Sequence, residues 1–272
     1  MKNSPYKAEI YLLFTIALGL SMLLNPKLST TYSLIIVAIG MYRILSKKNT
    51  DGAAHILAGY VVGIEVLFRM NSGGFGYEYG KYAAILFLVT GFLVEKIKKK
   101  TPTIYIVFLL LMVPSIFFVE YPTFDLTRQM VSFNLSCPVI LTISAVYFYR
   151  RRLNPVQLRK LFLSILYPIA AMSIFVYFRS GSLEEMEFTT ESNFQASGGF
   201  GPNQVSTIFG LGILIISMAY FLNIRLFRLK YLNVILLLGF LVRGLATFSR
   251  GGMLAPMAAI IVCIVVMSLS DA

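Results

Sequence analysis

The sequence predicts an all-α fold, a polytopic transmembrane helix bundle of about ten helices with its N-terminus in the cytoplasm. Three observations predict it. Hydrophobic residues make up 57% of the chain and charged residues only 13%, where a soluble domain carries about a quarter charged; the mean hydropathy is +0.77. Apolar runs long enough to cross about 30 Å of hydrocarbon recur along the whole length. Basic residues concentrate in alternate connections between those runs. The connections leave no room for a soluble domain, so one transmembrane domain is expected over residues 1–272.

The first run, 8–24, follows Lys2 and Lys7 and leads to Asn25-Pro26-Lys27 rather than to a small-residue cleavage site. It reads as a signal anchor. The second, 29–45, is the shortest in apolar content and is separated from the first only by that turn; Arg43, Lys47 and Lys48 close it. The third covers 53–70. The fourth, 82–97, ends in the basic stretch Lys96 to Lys100, and the fifth follows at 104–120. The sixth, 129–149, runs into Arg150, Arg151 and Arg152, and Arg159 with Lys160 precedes the seventh at 161–179. The eighth, 205–222, is followed by Arg225, Arg228 and Lys230; then come 232–249 and 253–270.

With the N-terminus inside, 17 of the 24 basic residues fall on cytoplasmic segments, leaving Lys27, Arg69, Lys81, Arg128, Arg179, Arg243 and Arg250 on or near the outer side. The acids split the opposite way: Glu9, Asp51, Glu95 and Asp271 lie inside and the other eight outside. That is the positive-inside pattern, and a slip of one helix would destroy it. The net charge of +12 is therefore topological and calls for no nucleic-acid partner. Cys137 and Cys263 both sit in apolar segments and read as inert buried thiols, with no metal or disulfide spacing. His55, near the inner end of the third run beside Asp51, reads as structural or solvated.

Four polar groups gather on the outer side. Glu65 and Arg69, four residues apart, share a helix face; they form a buried pair, or a pair in which Arg69 also lines a substrate site. Residues 71–82 make a glycine-rich turn with Tyr77, Tyr79, Tyr82 and the charge pair Glu78 and Lys81, suited to membrane anchoring or to sugar and lipid contact. Ser197 to Ser206 leads into the eighth helix through Gly201 and Pro202. A proline in the first turn marks a helix N-terminus whose dipole favours anions, and Asn203 and Gln204 add amides suited to phosphate or sugar oxygens. The fourth group is Arg243 and Arg250 with Ser249 and Gly251-Gly252. An arginine at membrane depth costs about 2.5–3.5 kcal/mol on insertion scales and so marks a site or a protein interior. Seven residues apart, the two guanidiniums are expected on one helix face about 10 Å apart, where they suit a pyrophosphate; the competing reading pairs one with a carboxylate such as Glu65. The outer stretch with Glu184, Glu185, Glu187 and Glu191 reads as a solvated loop, without calcium-loop spacing.

On these residues the chain resembles the O-antigen ligase and polysaccharide polymerase superfamily of bacterial membrane glycosyltransferases. Gly63-Ile-Glu65-Val-Leu-Phe-Arg69, Tyr77 to Tyr82, Phe200 to Ser206, Arg243-Gly244 and Phe248 to Gly252 carry the likeness, with Phe133-Asn134-Leu135-Ser136 before Cys137-Pro138. The resemblance implies an inner-membrane enzyme of lipopolysaccharide or capsule biosynthesis. Its donor is a glycan on undecaprenyl pyrophosphate, and its acceptor a lipid A core or a growing glycan on the outer face; no cofactor or metal is implied. By the same analogy Arg243 or Arg250 neutralises the leaving pyrophosphate, Arg69, Lys81, Gly201, Asn203, Gln204 and Ser249 assist in binding, and the base is Glu65 if it is unpaired, or else a residue of the extracytoplasmic loop that relatives carry. Relatives continue past the serine-arginine-glycine helix into a large extracytoplasmic loop and further helices. A chain that stops at Ala272 is expected to be a truncated or shortened member. The rival readings are an anion or sugar-phosphate transporter and an inactive fragment.

Overall fold

The computed structural model describes residues 6–73, 78–95, 102–118, 123–181 and 191–270. Among them the chain is all-helical: α1 (Lys7–Leu24), α2 (Lys27–Ser46), α3 (Ala53–Met70), α4 (Tyr79–Glu95), α5 (Thr103–Met112), α6 (Phe124–Phe148), α7 (Pro155–Arg179), α8 (Pro202–Phe221), α9 (Lys230–Ala246) and α10 (Arg250–Ser270), with a 3-10 segment (Val113–Phe118) prolonging α5. Seven of these, α1, α2, α3, α6, α7, α8 and α10, are long and apolar enough to cross a membrane. Their length and apolarity mark a multi-pass membrane protein. Lys2, Tyr77, the basic stretch 96–100, Glu120, the acids Glu184, Glu185 and Glu187, and Asp271 lie outside the described residues.

Several helices begin before the apolar run that announces them, because their first turns are polar caps. Asn154 opens α7 with a capping box: its Oδ1 accepts from Gln157 N at 2.8 Å while Gln157 Oε1 accepts from Asn154 N at 3.1 Å, and Pro155 follows in the first turn. Such reciprocal caps satisfy donors that a helix start leaves open. Thr123 likewise caps α6 by accepting from Leu126 N, and Pro202 occupies the first turn of α8.

The core lies where α3 meets α7 and α4. In α3, 67% of the membrane-length window is buried, against 17% in α6 and in α10, which therefore lie at the margin. Val61, Ile64, Leu67 and Phe68 of α3 and Leu166, Ile169, Met172 and Phe175 of α7 are all buried in one cluster. Lipid tails are as apolar as leucine, so close fit rather than water exclusion holds helices together in a bilayer, and small residues set the fit. Gly252 of α10 shows this most sharply: a Cβ there would overlap Ser206 Oγ and Thr207 N of α8. Gly252→Val is expected to part α8 from α10 and lower stability by about 1–3 kcal/mol, read as the thermal unfolding midpoint in detergent. Gly239→Ala, whose Cβ meets open space, should leave that midpoint in place.

Long-range contacts define two ends of the bundle. At one end the α1–α2, α3–α4, α7–α8 and α9–α10 connections meet: Arg179 Nη1 donates to Met70 O at 2.8 Å, and Asn193 N donates to Thr247 O at 2.8 Å. At the other, Arg151 forks onto Glu95 at 2.9 and 2.6 Å, and Asn49 Nδ2 donates to Glu95 Oε1 at 2.7 Å and to Tyr147 Oη at 3.0 Å. His55, 1% exposed, rests its Nδ1 3.3 Å from the same Tyr147 hydroxyl, so it is buried rather than solvated. Glu9 of α1 accepts from Arg228 N at 2.6 Å and from Leu229 N at 3.3 Å, and so ties α1 to the segment that leads into α9. Asp51, in the α2–α3 turn, is pushed up by partial burial, but the Arg43 hydrogen bond and charge outweigh it and hold the carboxyl below its ordinary value.

Candidate functional site

Three helices build a charged cluster at the first end. Glu65 and Arg69 stand one turn apart on α3 and are bonded to each other. Glu78, just before α4, reaches Arg69 Nη2 at 3.7 Å and is paired with Lys81 one turn on. Lys81 Nζ also donates to Ser136 Oγ of α6 at 3.0 Å, and Ser136 Oγ donates to Glu78 Oε2 at 3.1 Å. α4 approaches this closely because position 80 is glycine, where a Cβ would stand 2.6 Å from the Glu65 carboxyl carbon. The four charged side chains are only 9–18% exposed and their formal charges cancel. Of the two readings of Glu65 and Arg69, the coordinates show the pair, and the two grooves described below are lined by neither.

The start of α8 joins this cluster to the α9–α10 turn. Gln204 Oε1 accepts from Arg69 Nη1 at 3.1 Å, while Asn203, its neighbour, accepts on Oδ1 from Ser249 Oγ at 3.2 Å. The two amides thus face different partners. Gly201 has an ordinary backbone conformation, and its carbonyl closes the first turn by accepting from Gln204 N and Val205 N. Among the described residues of the α7–α8 connection the left-handed positions are Gly181, Gly198 and Gly199, with φ of 72°, 71° and 72°.

Arg243 and Arg250 do not share a helix face. α9 ends at Ala246 and α10 begins at Arg250. Between them Phe248 takes a left-handed φ of 53°, Thr247 Oγ1 turns back to Gly244 O at 2.7 Å, and Asn193 takes the Thr247 carbonyl. The heptad spacing is cut by this break. Arg243 is 6% exposed; its Nη1 donates to Ser180 Oγ at 3.1 Å and its guanidinium lies 4.7 Å from the centre of the Tyr177 ring. It heads a groove of about 430 Å³ between α7 and α9, lined by Ser173, Ile174, Tyr177, Leu238, Gly239 and Val242. Arg250 is exposed, has no partner among the described residues, and lines a different groove of about 590 Å³ with Leu245, Phe248, Ser249, Met253, Leu254 and Met257. The grooves share no lining residue. Neither arginine is paired with Glu65, which Arg69 holds.

Sequence reasoning found Glu65–Arg69 from its spacing but missed the reach of Glu78 to Arg69 and of Lys81 to Ser136. Glu78 three residues before Lys81 was the local signal; the partner on α6 had none. Neither thiol is buried as expected: Cys137 is exposed on α6, beside Lys81 of the charged cluster, and Cys263 is half-buried on α10. Among the described residues no group of His, Cys, Asp and Glu is placed to hold a metal ion. Comparison of the chain with protein-family models, with curated proteins and with solved structures finds no match.

Proposed function

We propose that this chain is a membrane glycosyltransferase of the O-antigen ligase and polymerase type, with ten spans and a cytoplasmic N-terminus in the bacterial inner membrane. It moves a glycan from undecaprenyl pyrophosphate to a lipid A core or a growing glycan on the outer side. The observation that carries this reading is Arg250: an exposed guanidinium without a protein partner at the head of an apolar groove. The groove suits a prenyl chain and the guanidinium suits the diphosphate at its end. Ser249 and Asn203 tie this head to the start of α8, whose dipole adds positive potential.

In the transfer an acceptor hydroxyl attacks the anomeric carbon, its oxygen forming the new glycosidic bond and its proton passing to water at the outer face, while the bond from that carbon to the pyrophosphate oxygen breaks, its electron pair leaving on the lipid diphosphate. Arg250 meets the charge that grows there. Arg69 and Gln204 set the position of α8, and Glu65 and Lys81 belong to the neutral cluster that supports it. The orientation rests on the basic residues that crowd the other end of the bundle.

The full chain in liposomes, given a labelled glycan on synthetic polyprenyl pyrophosphate and a glycan acceptor, should yield labelled product and free lipid diphosphate. Absence of transfer together with saturable uptake of phosphate or sugar phosphate into the same liposomes would replace the enzyme reading with transport.

A further inference from the structure

The groove on the α7 side of α9 belongs to no step of the proposed transfer, yet it is the second place where a cation meets an apolar hollow. Arg243 is almost wholly buried, and its neighbours are a hydroxyl and an aromatic ring, Ser180 and Tyr177. No carboxylate lies within salt-bridge distance among the described residues, unlike Arg69, Lys81 and Arg151, each of which has one. A guanidinium carries five N–H donors, and Ser180 takes one. A buried charge is ordinarily paired, so this one, in the last turn of α9, is poised for an anion that enters along the groove. The walls fix what kind of anion: Ile174, Leu238 and Val242 are aliphatic, Gly239 leaves open space beside it, and Tyr177, Leu238 and Val242 are more than half exposed to the surroundings of the bundle. In a membrane protein those surroundings are acyl chains.

We infer that the α7–α9 groove binds an anionic phospholipid, its phosphate on Arg243 and one acyl chain over Gly239 between Leu238 and Ile174. The occupant is a lipid rather than free phosphate because, Ser173 apart, the groove beyond Arg243 and Tyr177 is lined by Ile174, Leu238, Gly239 and Val242. The inference rests on the multi-pass character of the chain and is independent of glycosyl transfer. Gly239 is what keeps the groove open. A Cβ there meets nothing within 4 Å, and leucine is a better helix former than glycine, so the longer side chain extends into the groove rather than into the packed face of α9.

Native mass spectrometry of the full chain in detergent, titrated with phosphatidylglycerol, phosphatidylcholine or inorganic phosphate, tests this. Wild type should retain phosphatidylglycerol about fivefold more tightly than phosphatidylcholine, the preference that one basic residue confers for a net-anionic over a zwitterionic head group. Arg243→Gln should erase that preference, and Gly239→Leu should lose the retained lipid while keeping the wild-type unfolding midpoint. Equal retention of the two lipids by wild type would overturn the inference, as would an undiminished phosphatidylglycerol preference in Gly239→Leu. Displacement of the lipid by millimolar inorganic phosphate would also overturn it, since the head group alone would then account for binding.

Discussion

Arg69→Met is expected to cost about 3–5 kcal/mol of stability, the loss that follows when one partner of a buried ion pair is removed and the other is left behind. Here two are left behind. Arg69 sits between Glu65 and Glu78 and also donates to Gln204; without it two carboxylates face each other with only Lys81 to balance them. Because the cluster joins α3, α4, α6 and α8, the effect should be global, a single cooperative transition at lower temperature. Arg69→Met combined with Glu65→Leu removes one stranded charge together with its partner and should recover a large part of the loss. Unfolding in detergent, followed by intrinsic fluorescence and helical circular dichroism, checks both variants. A midpoint for Arg69→Met within the range of ordinary surface substitutions, about ±0.5 kcal/mol, would mean that the cluster is not the anchor described.

Arg250→Gln should behave in the opposite way: glycan transfer falls about 100- to 1,000-fold, the range for removing one fixed donor aimed at developing charge, while the unfolding midpoint stays put. The separation follows from geometry. Arg250 makes no bond to the described protein, so its removal strands nothing. Arg250→Lys keeps a charge but loses the planar fork that meets two phosphate oxygens together, and its rate should fall between the two. Steady-state transfer with the lipid-linked donor reads the effect, and the loss should appear mainly in kcat, as for an interaction strongest in the transition state. Unchanged turnover in Arg250→Gln would remove the groove from the reaction.

The helical segments were legible because bilayer thickness imposes a length on apolar runs, which is a local property of sequence. Each of the ten expected runs overlaps a helix among the described residues, seven of them long and apolar enough to cross a membrane, and the glutamate–arginine pair on α3 was visible from its four-residue spacing. The chain is less legible where a helix breaks without proline. Gly239 to Gly252 reads as a continuous stripe, but the Phe248 turn, held by Asn193 from a distant connection, rotates Arg250 onto another helix. The glycines that let α8 touch α10 were visible as residues and not as contacts. Ser136 became part of the charged cluster only through α6 packing on α4, a register that 55 residues of separation conceal. The exposed Cys137 marks the same limit: hydropathy tells which segments are in lipid or protein and not which side of the helix meets which.

The reading that a lipid diphosphate sits in the α9–α10 groove is tested most directly by a photoreactive polyprenyl pyrophosphate, cross-linked to the full chain in liposomes and mapped by peptide mass spectrometry. Labelling should concentrate on the peptide that spans Leu245 to Met257 and should fall sharply when unlabelled donor is added or when Arg250 is glutamine. Labelling spread over the outward faces of α5 and α6, unaffected by either change, would contradict the account.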